Sequence, residues 1–177
     1  HRILEMNPTL TAMVVYGHQP SASTQSMPGA SAACTALKQV APDLPVLMVG
    51  GHAAALPEQT LREEDVDFVC AGEGLVTLVE LVEALKSSGN PKFNKVRDLR
   101  YWEDGEIQST PPAALFKSLD EEMPGMAYDL LSIGRYRAHN WHCFGGLERE
   151  PYASMYTTLG CPYRCTFCCI QAPFKSG

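Results

Sequence analysis

An α/β fold built on a parallel sheet is predicted by three features of the first ninety residues. Short apolar runs alternate with segments of helical periodicity. The runs are continuous rather than alternating, as in strands buried on both faces. Each of them also closes on glycine, at Gly17, at Gly50-Gly51 and at Gly72-Glu73-Gly74. Strand–helix alternation at this rhythm implies βαβ units with right-handed crossovers.

The first run is Thr11 to Tyr16, ending at Gly17. A Ser/Pro/Gly-rich loop is expected from His18 to Gly29, followed by a helix from Ala30 to Val40 carrying Ala33, Leu37 and Val40 at helical spacing. Pro42 and Pro45 end that helix. Val46 to Val49 is the second strand, and a modest helix covers Pro57 to Glu64 with Pro57 in its first turn. Asp67 to Ala71 is the third strand. Leu75 to Lys86 is the clearest helix, its apolar stripe formed by Leu75, Leu78, Val79, Val82 and Leu85, with Gly89 stopping it.

Beyond Lys92 the character changes. Leu99 to Trp102 and Ile107-Gln108 flank a loop containing Asp104-Gly105, the signature of a β-hairpin. Pro111-Pro112 and the stretch to Gly125 read as an irregular linker in which Asp120-Glu121-Glu122 is a solvated surface. A short helix is expected within Tyr128 to Tyr136. The cluster His139, Trp141, His142 and Cys143 lacks clean metal-ligand spacing; a loop packing near a cofactor is an equal reading. Ala153 to Leu159 reads as the first strand of a new domain, delivering a cysteine-rich loop at its carboxyl end.

That loop is Gly160-Cys161-Pro162-Tyr163-Arg164-Cys165-Thr166-Phe167-Cys168-Cys169. Three thiols spaced by three and then two residues can converge on one soft metal centre. A structural zinc site closes with four protein ligands, whereas three leave a position open for chemistry. From the residues alone two other readings stand. The trio is half of a zinc site completed by Cys169, Cys143, His139 or His142, or it is unliganded.

Composition narrows the classes further. With 177 residues, 45% of them apolar and 19% charged, the chain can bury a core. A net charge of −6 argues against a nucleic-acid-binding surface. No run of about 18 apolar residues or charged-then-apolar leader is found, so no membrane span is expected. Seven cysteines, four of them crowded together, do not form the evenly spaced scaffold of a secreted protein, and a reducing cytoplasm is the expected location. Cys34 and Cys70 read as small core residues. The chain starts at His1 and stops nine residues after Cys168, so it is expected to be a piece of something longer.

CxxxCxxC with an aromatic before the last cysteine resembles the radical SAM family, the match being Cys161, Cys165 and Cys168 with Phe167 at the aromatic position. The resemblance implies a 4Fe–4S cluster on the three cysteines, S-adenosyl-L-methionine on its open iron, and one-electron cleavage to a 5′-deoxyadenosyl radical. Cys169 falls outside the spacing. The order of strand, Gly50-Gly51-His52, a Pro-Glu helix, then Asp67-Phe68-Val69-Cys70-Ala71-Gly72-Glu73-Gly74 before an apolar helix is similar to the cobalamin-binding domain that precedes many radical SAM cores, over roughly residues 8 to 88. That likeness implies a Rossmann-like parallel sheet whose rim of Tyr16, Gly17, Gly50, Gly51, His52, Gly72, Glu73 and Gly74 holds cobalamin. Ligands of open parallel sheets sit outside the carboxyl ends of the strands. Two departures are visible: the Asp-x-His-x-x-Gly signature of the wider cobalamin family is absent, and Leu75 stands where an acidic residue is usual.

The resulting expectation is a cobalamin-binding domain over residues 1–90, its N-terminal edge cut short. A linker with a hairpin comes next over 91–150, and the start of a radical SAM β/α barrel over 151–177. The function implied is a cobalamin-dependent radical SAM enzyme, with methyl transfer to an unactivated carbon leading. A ring-forming or rearrangement reaction with the same cofactors is the second reading, and a non-catalytic cobalamin- or zinc-binding module the third. The family also implies a small-molecule or lipid-like substrate and an electron donor such as flavodoxin or ferredoxin. Catalytic acids and bases cannot be nominated, and the stretch by itself is expected to be inactive.

Overall fold

A computed structural model describes residues 2–16, 22–123, 125–138, 149–153, 155, 158–168 and 170–174. The chain divides into two units, residues 1–115 with 160–177, and residues 116–159.

The first unit is organised on one five-stranded sheet in the order β1-β2-β3-β4-β5. The strands are β1 (Thr11–Val15), β2 (Val46–Gly50), β3 (Phe68–Cys70), β4 (Leu99–Glu103) and β5 (Glu106–Ser109). β1, β2 and β3 are parallel, with Thr11 opposite Val46 and Met48 opposite Val69. β4 and β5 run antiparallel, with Cys70 opposite Leu99 and Trp102 opposite Ile107. The α-helices of the first unit's residues 1–115 are α1 (Arg2–Glu5), α2 (Ala22–Val40), α3 (Gly51–Ala55), α4 (Pro57–Glu63) and α5 (Leu75–Lys86).

β2 is buried along its whole length, as its continuous apolar run requires. Val46 and Met48 face a core shared with Met27, Cys34 and Leu37 of α2, Ala53 of α3 and Leu61 of α4. Leu47 and Val49 face the opposite core, with Phe68, Cys70, Leu99, Tyr101 and Leu81 of α5. Phe93 stacks edge-to-face on Phe68 and Tyr101, at ring centroid distances of 5.0 and 5.5 Å. Cys34 and Cys70 lie in these cores as expected. Burial, reinforced by the nearby Glu64 and Asp65 carboxylates, pushes the Cys34 thiol up to about 11, so it stays protonated.

Four local expectations change. β1 is an edge strand with Val14 61% exposed, because it ends the sheet and has a neighbour on one side only. α2 starts at Ala22 and runs through Pro28, where a loop was expected up to Gly29. An interior proline costs a helix about 3 kcal/mol. Against that cost the helix buries Met27, Ala30, Cys34 and Leu37 on one face and Ser23 in its first turn. The stripe of α5 is centred on Thr77 and Leu81, and Val79, expected inside, is 58% exposed. Finally, the hairpin is not a free-standing linker element, since β4 pairs with β3 and sends Leu99 and Tyr101 into the core. Its two-residue turn places Asp104 at φ 51° and Gly105 at φ 80°, the left-handed pair that a tight hairpin needs.

The second unit contains α6 (Leu119–Glu122) and two 3-10 turns, Tyr128–Leu130 and Ile133–Arg135. Ser118 caps α6, accepting from the Glu121 N–H, while the Glu122 carboxylate accepts from the N–H groups of Lys117 and Ser118 at 2.8 and 2.9 Å. Those bonds hold the Glu122 carboxyl below the usual carboxylate range. No strand is found among the described residues of 153–159. A strand needs a partner ladder, and each described strand already belongs to the sheet of the first unit. Among the described residues no helix is long and apolar enough to cross a membrane.

Candidate cofactor-binding site

The carboxyl ends of β1, β2 and β3 form one rim, and hydrogen bonds from α2 fasten it. Ser23, fully buried in the first turn of α2, donates its hydroxyl proton to the Val15 carbonyl at 2.5 Å. The same hydroxyl accepts the N–H of His52 at 2.9 Å. One side chain therefore joins the end of β1 to the beginning of α3. Thr24, the next residue, lies 3.1 Å from Nδ1 of His52 and orients the imidazole. Gly50 ends β2 so close to β1 that a Cβ there would collide with the Val15 carbonyl, which explains glycine at this point.

A second corner lies between β3 and α5. Gly72 packs against the Asp98 side chain, and any Cβ at this position would meet the carboxylate. Asp98 is buried and accepts the Ala113 N–H at 2.9 Å, while Thr77 donates to the Arg97 carbonyl at 2.9 Å. The Cys70 sulfur accepts the Gly72 N–H and reaches the Thr77 hydroxyl. Gly74 is the N-cap of α5, and a shallow pocket opens here, bounded by Glu73, Gly74, Thr77, Asp98 and Ala113.

Of the residues expected on the rim, Tyr16 follows β1 half-buried, Gly50 ends β2, Gly51 and His52 open α3, and Gly72, Glu73 and Gly74 join β3 to α5. Gly17 lies outside the described residues. Ser23 and Asp98 were not anticipated. Ser23 sits in a stretch that reads as loop, and the one signal for Asp98 is a left-handed backbone, φ 54°, which sequence does not display.

The cysteine loop belongs to the same unit. Gly160 is in the left-handed region beside the Phe174 ring, Cys161 and Cys165 are exposed, and Cys168 is half-buried. The Cys168 N–H donates to the Cys165 carbonyl at 3.1 Å, closing one turn, and Phe167 at its crest is 84% exposed. α7 (Gln171–Phe174) comes next, buries Pro173 and packs against α3, so the loop stands beside the Gly50–His52 corner. Among the described residues no three His, Cys, Asp or Glu side chains are grouped to hold a metal ion, the cysteine trio included. By donor chemistry the trio nonetheless suits an iron–sulfur centre, since its thiols are soft ligands and two of them face solvent. His139, His142, Cys143 and Cys169, the alternative fourth ligands, lie outside the described residues.

Residues 5–82, which hold β1, β2, β3 and the glycine rim, match the B12 binding domain. The chain is 33% identical to an uncharacterized methyltransferase of Pyrococcus horikoshii over 155 residues, 87% of this chain and 31% of that protein. It is 26% identical to the anaerobic magnesium-protoporphyrin IX monomethyl ester cyclase of Synechocystis over 158 residues, 88% of this chain and 29% of that protein. Among solved structures it is similar to the radical S-adenosylmethionine methyltransferase TsrM from Kitasatospora setae, determined with cobalamin and a 4Fe–4S cluster bound. The TM-score is 0.61 at 20% identity, covering 96% of this chain and 32% of that one, a likeness of fold. The family that these likenesses establish on this chain is the B12 binding domain, over residues 5–82. It spans about a third of the length of the curated relatives it matches.

Proposed function

We propose that this chain brings together the two cofactor sites of a cobalamin-dependent radical SAM methyltransferase acting on an unactivated carbon of a small-molecule or lipid-like substrate. One observation supports this above the others: the CxxxCxxC loop and the glycine rim of a B12-binding domain lie in one compact unit, linked through α7 and α3. In this reading Cys161, Cys165 and Cys168 hold a 4Fe–4S cluster, with Phe167 beside them. Tyr16, Gly17, Gly50, Gly51, His52 and the Gly72-Glu73-Gly74 turn border the corrinoid. When bound, these groups supply one electron to split S-adenosyl-L-methionine and a carrier for the methyl group. The chain's own contribution is placement. Ser23 fixes the spacing of the first two strand ends, glycines admit close backbone approach, and the thiolates anchor the cluster from the adjoining loop. A flavodoxin or ferredoxin is the electron donor in this scheme, and a reducing cytoplasm its setting.

Anaerobic reconstitution with iron and sulfide tests the assignment. The expected outcome is the absorption and electron paramagnetic resonance of a 4Fe–4S cluster, abolished in Cys161→Ala and retained in Cys169→Ala. Loss in Cys169→Ala with Cys161→Ala normal overturns it, and tight zinc at one equivalent with no cluster points to a binding module. A ring-forming reaction with the same cofactors is the second reading, favoured by the cyclase among the relatives. Methyl-labelled S-adenosyl-L-methionine separates the two, because ring closure leaves the label out of the product.

A further inference from the structure

Resting on the cluster assignment above, we infer that Gln171 is a positioning residue, its side-chain amide bracing the backbone between the first two cysteines, from which their sulfurs close on the cluster as it forms. The Gln171 carboxamide has two N–H donors. Nε2 donates to the Cys161 carbonyl at 3.1 Å and, over a shorter distance, to the Tyr163 carbonyl. These are the carbonyls of the first and third residues of the Cys161–Cys165 spacing, where no helix or strand supplies partners. A loop of this kind owes its shape to a few tethers, and unmatched carbonyls leave it free to rotate the cysteines outward.

The tether has a rigid origin. Gln171 opens α7, which is seated by the buried Pro173 and packs against α3 at the end of β2. Gly160, at φ 77°, sits where an added Cβ would press on the Phe174 side chain, so the start of the loop also lies close to this short helix. A path of contacts therefore runs from the buried strand β2 through α3 and α7 to the amide, and from the amide to the cysteines. Gln171 touches neither iron nor substrate in this scheme and acts through Cys161 and the turn after it.

The test compares the parent protein with Gln171→Glu, whose carboxylate has the same shape but cannot donate, and with Gln171→Met, which fills the space without charge. After anaerobic reconstitution, iron release to a chelator is followed by absorbance, with thermal midpoint and cobalamin binding measured in parallel. Losing two hydrogen bonds is expected to speed iron release about tenfold or more in both variants. The thermal midpoint and cobalamin affinity stay at parent values, which a purely structural role would not allow. Gln59→Leu, on the outer face of α4, serves as the control and behaves as parent. Iron release at the parent rate in either substituted protein overturns the inference while leaving the cluster assignment standing. A parent protein that assembles no cluster overturns both. Should Gln171→Glu fail to fold, Gln171→Met decides alone.

Discussion

The rim of the parallel sheet and the cysteine loop are built on opposite plans. At the rim, position is held by buried groups. Ser23 bridges two strand ends, Gly50 and Gly72 sit where a Cβ cannot fit, and Asp98 is buried behind the turn. In the loop, two of the three thiols face solvent, and the described order is one backbone turn with two bonds from Gln171. A preformed, closely packed rim suits a large rigid cofactor, whose binding then costs little reorganisation. A lightly tethered trio suits a centre whose own metal–sulfur bonds complete the geometry. Stability in the first unit therefore comes from the sheet, and perturbing the sheet should leave the chemistry of the loop untouched until the unit unfolds.

Leu81 gives the hardest blow to that separation. It is fully buried on α5, beneath the strands of the second core. Leu81→Ala should cost about 2–5 kcal/mol through lost burial and the cavity left behind. Urea titration followed by far-ultraviolet circular dichroism measures this. Below the new midpoint, iron uptake by the cysteines should match the parent, and a proportional fall in iron uptake would break the comparison.

Ser23 sharpens the contrast at the rim itself. Ser23→Ala removes a hydroxyl that serves the Val15 carbonyl and the His52 N–H, taking a partner from one buried and one part-buried group at a cost of about 1–3 kcal/mol. The strand ends and His52 lose their common fastening, so cobalamin affinity should fall severalfold while chelator-accessible iron stays at the parent level. Equilibrium titration of the corrinoid spectrum reads the first quantity. Unchanged affinity would remove Ser23 from the construction of the rim.

How far this could be read from sequence depends on whether an element is defined by local pattern or by distant packing. The β2 run and the α5 boundaries, Leu75 to Lys86, were legible because burial on both faces and helical periodicity are written into neighbouring residues. The start of α2 was not, since Pro28 argues locally against a helix and the burial of Ser23 and Met27 that overrides it is tertiary. The same distinction divides the site. Glycine rim and cysteine spacing are consecutive in sequence and stood out. Ser23 and Asp98 act across 29 and 15 residues, on His52 and Ala113, and Gln171 across ten and eight, on Cys161 and Tyr163, with no motif to mark them. The β-hairpin was visible as a unit, but its addition to β3 depends on Leu99 and Tyr101 finding the core.

The smallest expected effect concerns charge. Glu80 on α5 accepts from Arg97 through the backbone N–H and Nε, both at 2.8 Å, and through the terminal guanidinium nitrogen. The side-chain bonds from Arg97, the largest influence, hold the Glu80 carboxyl below its ordinary value of 4.5. A carboxylate lowered in the folded state stabilises the fold above the unfolded value and loses that contribution as pH falls through the folded one. The pair is partly exposed, so solvent screening keeps the effect small. The urea midpoint of the sheet should therefore drop along an acid limb beginning near pH 4.5, and Glu80→Gln should flatten part of that limb. The side-chain tethers from Gln171 to the cysteine loop are neutral amide–carbonyl bonds, which do not titrate over this range. Amide hydrogen exchange at pH 6 and pH 4 can separate the regions, with protection falling around α5 and the Arg97 segment while the turn closed by the Cys168 N–H keeps its own rate after correction for intrinsic exchange. Parallel loss of protection in both would mean that the α5 corner and the cysteine loop open as one, and the two plans would reduce to one.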